Sequence, residues 1–345
     1  MCGIVGYVGT PGQSKPALGV VIDALRRMEY RGYDSAGIAL LDGSGGMAVE
    51  KKAGKLDNLV ATVESAGLEN YPATTGIGHT RWATHGRPTD INAHPHVDQL
   101  GKIAVVHNGI IENFAPLHAE LEAQGVEFTS ETDTETVTHL LHAEYYGEGP
   151  NAGNFTASVM AVINRLEGAF TLVIAHADHP DMLMACRRST PLVIGVGEHQ
   201  MFLGSDVAAF IEHTREAVEL GQDNVVTITA DGYTITDFEG NPVEGRPFTI
   251  DWDLEAAEKC GYDYFMLKEI AEQPQALADT LRGHFVDGRI VLDERRLSDE
   301  DLRQIEKIFV VACGSAYHSG LLAKYAIEHW TCLLYTSPSP RDLST

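Results

Sequence analysis

The sequence is poor in cysteine, with five in 345 residues, at positions 2, 186, 260, 313 and 332. Their number is odd and their spacing wide, which excludes a disulfide framework and paired cysteine ligands for a metal, so reduced thiols are expected. Long apolar runs are absent too. No stretch approaches the roughly 20 apolar residues of a membrane span, and the N-terminus lacks the charged-then-apolar pattern of a secretory signal, so a cytoplasmic protein without a membrane partner is expected. Basic residues are scarce. Lys and Arg number 25 against 49 Asp and Glu, a formal net charge of −24, which argues against nucleic acid as the partner. What is present, 44% hydrophobic residues and 34 glycines, suits a globular protein with many turns. The length exceeds most single cores and favours two domains.

The pattern along the chain reads as layered sheets and helices. Residues 3–9 form a short β-rich run, and Pro16 opens a helix in which Leu18, Val21, Ile22, Leu25 and Met28 share a face, with Gly32 helping to end it. Apolar strand-like runs follow at 36–41, 75–79, 102–107, 169–176, 181–186, 191–196 and 224–229, with helical patterns at 114–124, 133–146 and 156–166. Many strands on short turns, with helices in groups rather than after every strand, predict an α+β arrangement of packed sheets over residues 2–240. Residues 241–263, rich in Gly, Pro and charge, read as a linker. Beyond it come a helix at 264–281, an apolar strand at 307–312, the small-residue run Cys313-Gly314-Ser315-Ala316, and a helix from Tyr317 carrying Leu321, Leu322, Tyr325 and Ala326. Strand, small-residue loop and helix N-terminus together suit a phosphate, although an ordinary strand-to-helix turn has the same pattern.

Polar chemistry concentrates in the first 135 residues. Once Met1 is removed, Cys2 carries both a thiol and a free α-amine. An amine with a pKa of about 8 can accept the proton of a thiol with a pKa of about 8.5, so residue 2 would be a nucleophile with its own base. On position alone a cysteine is more often apolar filler; the neighbouring motifs change that balance. Gly78-His79-Thr80-Arg81-Trp82-Ala83-Thr84-His85-Gly86 ends one β-rich run. His107-Asn108-Gly109 ends another, placing a side-chain amide beside a flexible backbone N–H, the pair an oxyanion hole needs. Ser130-Glu131-Thr132-Asp133-Thr134-Glu135 opens a helical segment, where an N-cap with acidic first-turn residues and a binding role both fit. Arg81 and Asp133 together suit the α-carboxylate and α-ammonium of an amino acid, although singly such residues more often form surface ion pairs.

CGIVGYVG at 2–9, RRMEYRGYDSAG at 26–37, GHTRWATHGRP at 78–88, NAHPH at 92–96, VHNGIIEN at 106–113 and SETDTE at 130–135 resemble the glutamine:fructose-6-phosphate aminotransferase (isomerising) family. FMLKEIAEQP at 265–274 and VACGSAYHSG at 311–320 extend the resemblance, in order, over residues 1–331. It implies an αββα-sandwich N-terminal-nucleophile hydrolase domain (class II glutamine amidotransferase), followed over 264–331 by the beginning of an α/β sugar-isomerase domain. In that family's pattern Cys2 attacks the side-chain amide of L-glutamine, its α-amine shuttles the proton, and Asn108 with the Gly109 N–H holds the oxyanion. Water then releases glutamate from the thioester. Arg81, Thr84, His85 and Asp133 take glutamine-binding positions, Arg31 lies in the loop supporting the nucleophile, and Trp82 matches the ammonia gate.

Cys313, Gly314 and Ser315 take the sugar-phosphate loop, with Ala316 where family members usually carry a hydroxyl. A full-length parent would pass ammonia to D-fructose 6-phosphate and form D-glucosamine 6-phosphate, the first step of hexosamine synthesis, as a homodimer without cofactor or metal. The remaining phosphate loops, the isomerising base and the C-terminal lysine of the family have no counterpart here, so only the glutaminase half-reaction is expected. Residues 332–345, with two Ser-Pro steps, match nothing in the family and read as an unstructured or non-native tail, and the exposed face of Leu321 and Leu322 predicts poor folding or association of 240–345. Two alternatives stand beside this reading. One is another Cys-initiated amidotransferase, of purine or asparagine synthesis, against which GHTRWATHG and EIAEQP speak. The other is an inactive phosphosugar-binding fragment in which Cys2 is structural.

Overall fold

Strand β1 (Gly3–Gly9) buries both of its faces, Ile4 and Val8 on one side and Val5 and Tyr7 on the other. A strand covered on both sides needs apolar residues at successive positions, which is why the sequence shows unbroken apolar runs instead of alternation. The computed structural model describes residues 2–83, 86–251, 262, 264–281, 285–286, 289–290, 298–312, 314–331 and 334–336. They fall into two units, Met1–Gly261 and Tyr262–Thr345.

In the first unit β1 belongs to an eight-stranded sheet with β2 (Ser35–Leu41), β3 (Met47–Ala53), β4 (Thr75–Arg81), β9 (Val193–Gly197), β10 (Gln200–Gly204), β11 (Glu216–Glu219) and β14 (Arg246–Thr249). Its order is β14-β11-β9-β10-β1-β4-β2-β3. A six-stranded sheet holds β5 (His96–Val97), β6 (Ile103–Ile111), β7 (Gly168–His176), β8 (Met182–Arg188), β12 (Asn224–Thr229) and β13 (Gly232–Asp237), in the order β13-β12-β8-β7-β6-β5. Strand pairs in both sheets run antiparallel.

Three hydrophobic clusters define four layers. Ile4, Val8, Ile77, Val106, Val173 and Leu203 meet between the sheets. Outside the first sheet, α1 (Ala17–Met28) and α2 (Leu56–Ser65) pack on Val5, Tyr7, Ile38 and Leu40. Outside the second, α3 (Phe114–Ala123), α4 (Asp133–Tyr146) and α5 (Phe155–Ile163) cover Ile103, Val105, Phe170 and Leu172. The order is αββα, as the resemblance implied.

Helix α1 follows Pro16, whose ring fixes φ near the helical value. Its buried stripe is Ala17, Val20, Val21, Ala24, Leu25 and Met28, so the expected face is rotated slightly: Leu18 and Ile22 lie at its edge, partly buried. Gly78 of β4 lets the helix approach; a Cβ there would sit 2.6 Å from Val21 and 3.0 Å from Leu25. Elements of this unit absent from the sequence reading are β3, α2, β5, β10, β11, β13 and β14. The stretch expected to be a linker, 241–263, is corrected at its start. Arg246–Thr249 pairs with Glu216–Glu219 as an edge strand, and Ile250 is buried among the residues under α1.

The second unit contains α6 (Phe265–Leu281), with Pro274 inside it, and the short antiparallel pair β15 (Phe285–Val286) and β16 (Arg289–Ile290). Helix α7 (Asp299–Arg303) is closed by a capping box between Ser298 and Asp301. Strand β17 (Lys307–Phe309) is shorter than expected, and α8 (Gly314–Thr331) begins three residues before Tyr317, taking Gly314 and Ser315 into its first turn. Leu334–Thr336, expected to be unstructured, forms β18, paired in parallel with β17. Leu322 is 74% exposed while Leu321 is partly covered.

Candidate active site

Cys2 precedes the first residue of β1, and β4 runs antiparallel beside it, with Gly3 opposite Thr80. That register sets the start of the chain against the end of β4, next to Arg81 and Trp82. Three bonds fix the backbone there. Gly3 N donates to Thr80 Oγ1 at 3.2 Å, Ile4 N donates to Ser205 Oγ at 3.0 Å, and Asn108 Nδ2 donates to Cys2 O at 3.0 Å. The last crosses from β6 in the other sheet. Trp82 N donates to Cys2 Sγ at 3.1 Å. Burial pushes the Cys2 thiol above its usual range, opposed by the Trp82 N–H and by the positive charges of the N-terminus and Arg81.

Cys2 opens on a cavity of about 330 Å³, whose walls include Arg31, Arg81, Trp82, Asn108, Gly109 and Asp133. Asn108 is held from behind as well as in front. Its Oδ1 lies 3.0 Å from His79 Nε2, which is 3.1 Å from the carbonyl oxygen of His107. Gly109 has φ +123°, and a Cβ there would fall 2.0 Å from Ala169 O, so only glycine fits where β6 bends past β7.

Asp133 is the first residue of α4 and is buried, its Oδ2 accepting from Ile111 N at 2.8 Å. Its Oδ1 is 3.8 Å from His107 Nδ1, which pairs with Thr134 Oγ1 at 2.9 Å. The N-cap residue of α4 is Thr132, and no side-chain cap is made. Instead Glu135 reaches back and accepts from Thr129 N at 2.9 Å and Ser130 N at 2.6 Å. Burial pushes the Glu135 carboxyl up, but the His139 ring 3.6 Å away and the bonds from Ser130 and Thr129 outweigh that and hold it well below its usual range. The acidic run therefore divides its work: Asp133 lines the cavity and Glu135 ties down the loop.

Arg81 is buried and its Nη1 donates to Arg87 O at 3.3 Å. Arg31 forms an ion pair with Asp206 and donates to Ser205 O at 3.4 Å, so it braces the serine that holds Ile4. Trp82 is 47% exposed, its ring edge-on to Tyr33 with centroids 5.4 Å apart. Thr84, His85 and Cys313 lie outside the described residues. Gly314 and Ser315 belong to the second unit, at the start of α8.

Residues that sequence reasoning left out stand behind this wall. Thr80 and Ser205 hold the first backbone amides, and His79, His94, His96 and His107 cluster, with His94 centred 4.4 Å from His79 and 4.9 Å from His96. Burial holds His79 down to about 3 and His94 and His96 well below the usual histidine range. The signal for the histidines lay in the motifs GHTR, NAHPH and VHNG, but nothing in their spacing says that the three segments converge. Ser205 has no local signal.

Residues 79–212 match a family described as "Glutamine amidotransferase domain". Proteins named glutamine–fructose-6-phosphate aminotransferase [isomerizing] from Mycolicibacterium smegmatis and Mycobacterium tuberculosis (strain H37Rv) are each 68% identical to the chain, and one from Streptomyces coelicolor is 59% identical. Each alignment covers 96% of this chain and 54, 53 and 52% of the respective relative, so the chain spans about half the length of the curated relatives it matches. Two solved structures share the fold: a glutamine phosphoribosylpyrophosphate amidotransferase from B. subtilis complexed with ADP and GMP, TM-score 0.57, and an allosteric regulatory enzyme of purine biosynthesis, TM-score 0.58. Each is 24% identical, over 70% of this chain and 50% of its own, a likeness of fold alone. Over residues 79–212 the chain is thus similar to glutamine amidotransferase domains, and the relatives that its sequence matches along almost its whole length are named glutamine–fructose-6-phosphate aminotransferases.

Proposed function

We propose that the first unit hydrolyses L-glutamine to glutamate and ammonia through a thioester on Cys2. The observation that carries this reading is the opening of Cys2, the Asn108 amide, Arg81 and Asp133 onto one cavity. With Met1 removed, the α-amine of Cys2 takes the thiol proton as sulfur attacks the side-chain amide carbon. A thiol kept neutral by burial suits a base that acts only at the moment of attack. The carbonyl oxygen becomes an oxyanion, received by an Asn108 N–H and the Gly109 N–H. Collapse breaks the C–N bond, and the α-ammonium returns the proton to the departing nitrogen, releasing ammonia. Water, deprotonated by the same amine, then cleaves the thioester to glutamate and free Cys2.

Arg81 and Asp133 match the α-carboxylate and α-ammonium of the substrate, and Thr84 and His85 complete the glutamine-binding motif. Arg31 supports the nucleophile through Ser205. Trp82 gates the ammonia, which is useful only unprotonated and so has to travel a dry route. A protein of the relatives' full length would transfer that ammonia to D-fructose 6-phosphate, giving D-glucosamine 6-phosphate, with Cys313, Gly314 and Ser315 at the sugar phosphate. We place it in the cytoplasm as a homodimer.

Mass spectrometry of the purified chain, before and after exposure to a glutamine-mimicking electrophile, tests the reading first. The expected result is a chain without Met1 that carries one adduct, on Cys2. Retained Met1, or labelling elsewhere, overturns the nucleophile. Glutamate release by the chain and its loss in Cys2→Ser is the second test, because a hydroxyl is a far weaker nucleophile near neutral pH.

A further inference from the structure

His79 stands on β4, in the sheet of the nucleophile, and meets Asn108 on β6, in the opposite sheet. Its Nε2 lies 3.0 Å from Asn108 Oδ1 and 3.1 Å from the backbone carbonyl of His107. A carbonyl oxygen only accepts, so Nε2 carries the hydrogen and donates to both. The other ring nitrogen, Nδ1, is buried without a hydrogen-bond partner. The ring is wholly buried, and burial keeps the imidazole neutral to about pH 3. One tautomer therefore faces Asn108 throughout the pH range in which enzymes work.

The orientation of Asn108 matters because a primary amide is nearly symmetric in shape and opposite in polarity at its two ends. Turned over, it would aim a carbonyl oxygen at a forming oxyanion and repel it. Here Oδ1 is taken by His79, and Nδ2 points to Cys2, whose carbonyl takes one of its two hydrogens at 3.0 Å. We infer that His79 is a positioning residue for glutamine hydrolysis: it locks the Asn108 amide with nitrogen toward the cavity. This rests on the glutaminase reading above.

The test compares His79→Leu, His79→Gln, Asn108→Ala and the double variant His79→Leu/Asn108→Ala in the full chain. Two quantities are read: steady-state glutaminase kcat and KM, and the rate at which iodoacetamide alkylates Cys2. Alkylation is a displacement that forms no oxyanion, so it is indifferent to the hole and sensitive to general disorder. His79→Leu is expected to lower kcat about 10- to 100-fold with KM changed less than about 3-fold, short of the loss on deleting an oxyanion donor. Glutamine at 79 places an amide N–H near the position of Nε2 and should restore kcat to within about 5-fold. The double variant should lose no more than Asn108→Ala alone, since the two changes remove one function. Alkylation should stay within about 2-fold in His79→Leu and His79→Gln, which leave every bond to Cys2 in place.

Wild-type kcat in His79→Leu, equal losses in the leucine and glutamine variants, multiplied losses in the double variant, or alkylation falling in parallel would each overturn the inference. His79→Asn, whose shorter side chain reaches only the Nδ1 position, replaces His79→Leu if that variant does not fold. A parent chain that releases no glutamate fails the glutaminase reading instead, and the inference falls with it.

Discussion

The Asn108 amide is placed before any ligand arrives, with Cys2 O accepting from its nitrogen and His79 donating to its oxygen. A donor already aimed costs no reorganisation when charge develops, so Asn108→Ala is expected to lower kcat by about 10²-fold or more with little change in KM. Steady-state kinetics separates the two. Cys2 makes a second prediction. Burial raises its thiol, so at a given pH less thiolate is present than in a free cysteine. The alkylation rate of Cys2 should climb through a midpoint above the usual thiol range; a midpoint below it would show an activated thiolate at rest and remove the need for the α-amine. The residues legible in the sequence are polar or reactive types at the ends of apolar runs, Cys2, Asn108 and Arg81, and at the opening of a helix, Asp133. His79 was not, because an imidazole inside a strand looks the same whether it fills the core or orients an amide. Ser205 was not, because its partner Ile4 lies at the far end of the chain's numbering.

Among the elements, those buried on two faces could be read directly: β1, β2, β6, β7, β8 and β12 show as continuous apolar runs. The ones missed are short or carry charge. Edge strand β3 holds Glu50, Lys51 and Lys52 within seven residues, and β11 and β14 have four residues each. Pro247 in β14 reads as a breaker, yet an edge strand tolerates proline because one row of its N–H groups has no ladder to join. Helix α1 was legible from its 3.6-residue stripe, and its seat on β4 gives it a stability role that can be measured. Leu25→Ala would empty a site that is 0% exposed against Gly78, a loss of about 2–5 kcal/mol. Denaturant unfolding of the variant checks it; a change under about 1 kcal/mol would mean that α1 settles onto the sheet.

At the scale of the whole first unit, the buried histidines couple stability to acid. His79 is held down to about 3 and His176 to about 4, and His94 and His96 are well below the usual range, in each case mainly through burial. Between those values and the unfolded histidine pKa of about 6.5 the unfolded chain binds protons that the folded one refuses. Stability is therefore complete above about pH 7.5 and falls on acidification from about 6.5, by about 1.4 kcal/mol per pH unit for each such histidine. Chemical denaturation at pH 7.5, 6.5 and 5.5 reads that slope in a window where carboxylates, with unfolded pKa values near 4, contribute little. A flat profile would show that the cluster takes up protons without unfolding. The topology has a further consequence, in the timing of synthesis. Strand β1 is the first of these strands to be made, yet its two neighbours are residues 75–81 and 200–204, and the amide that holds Cys2 comes from β6. A growing chain thus holds Cys2 at its head without this surround until about 200 residues have followed. Only then is β1 stitched between two neighbours, so the last-made of its partners, not the first, completes the wall behind residue 2.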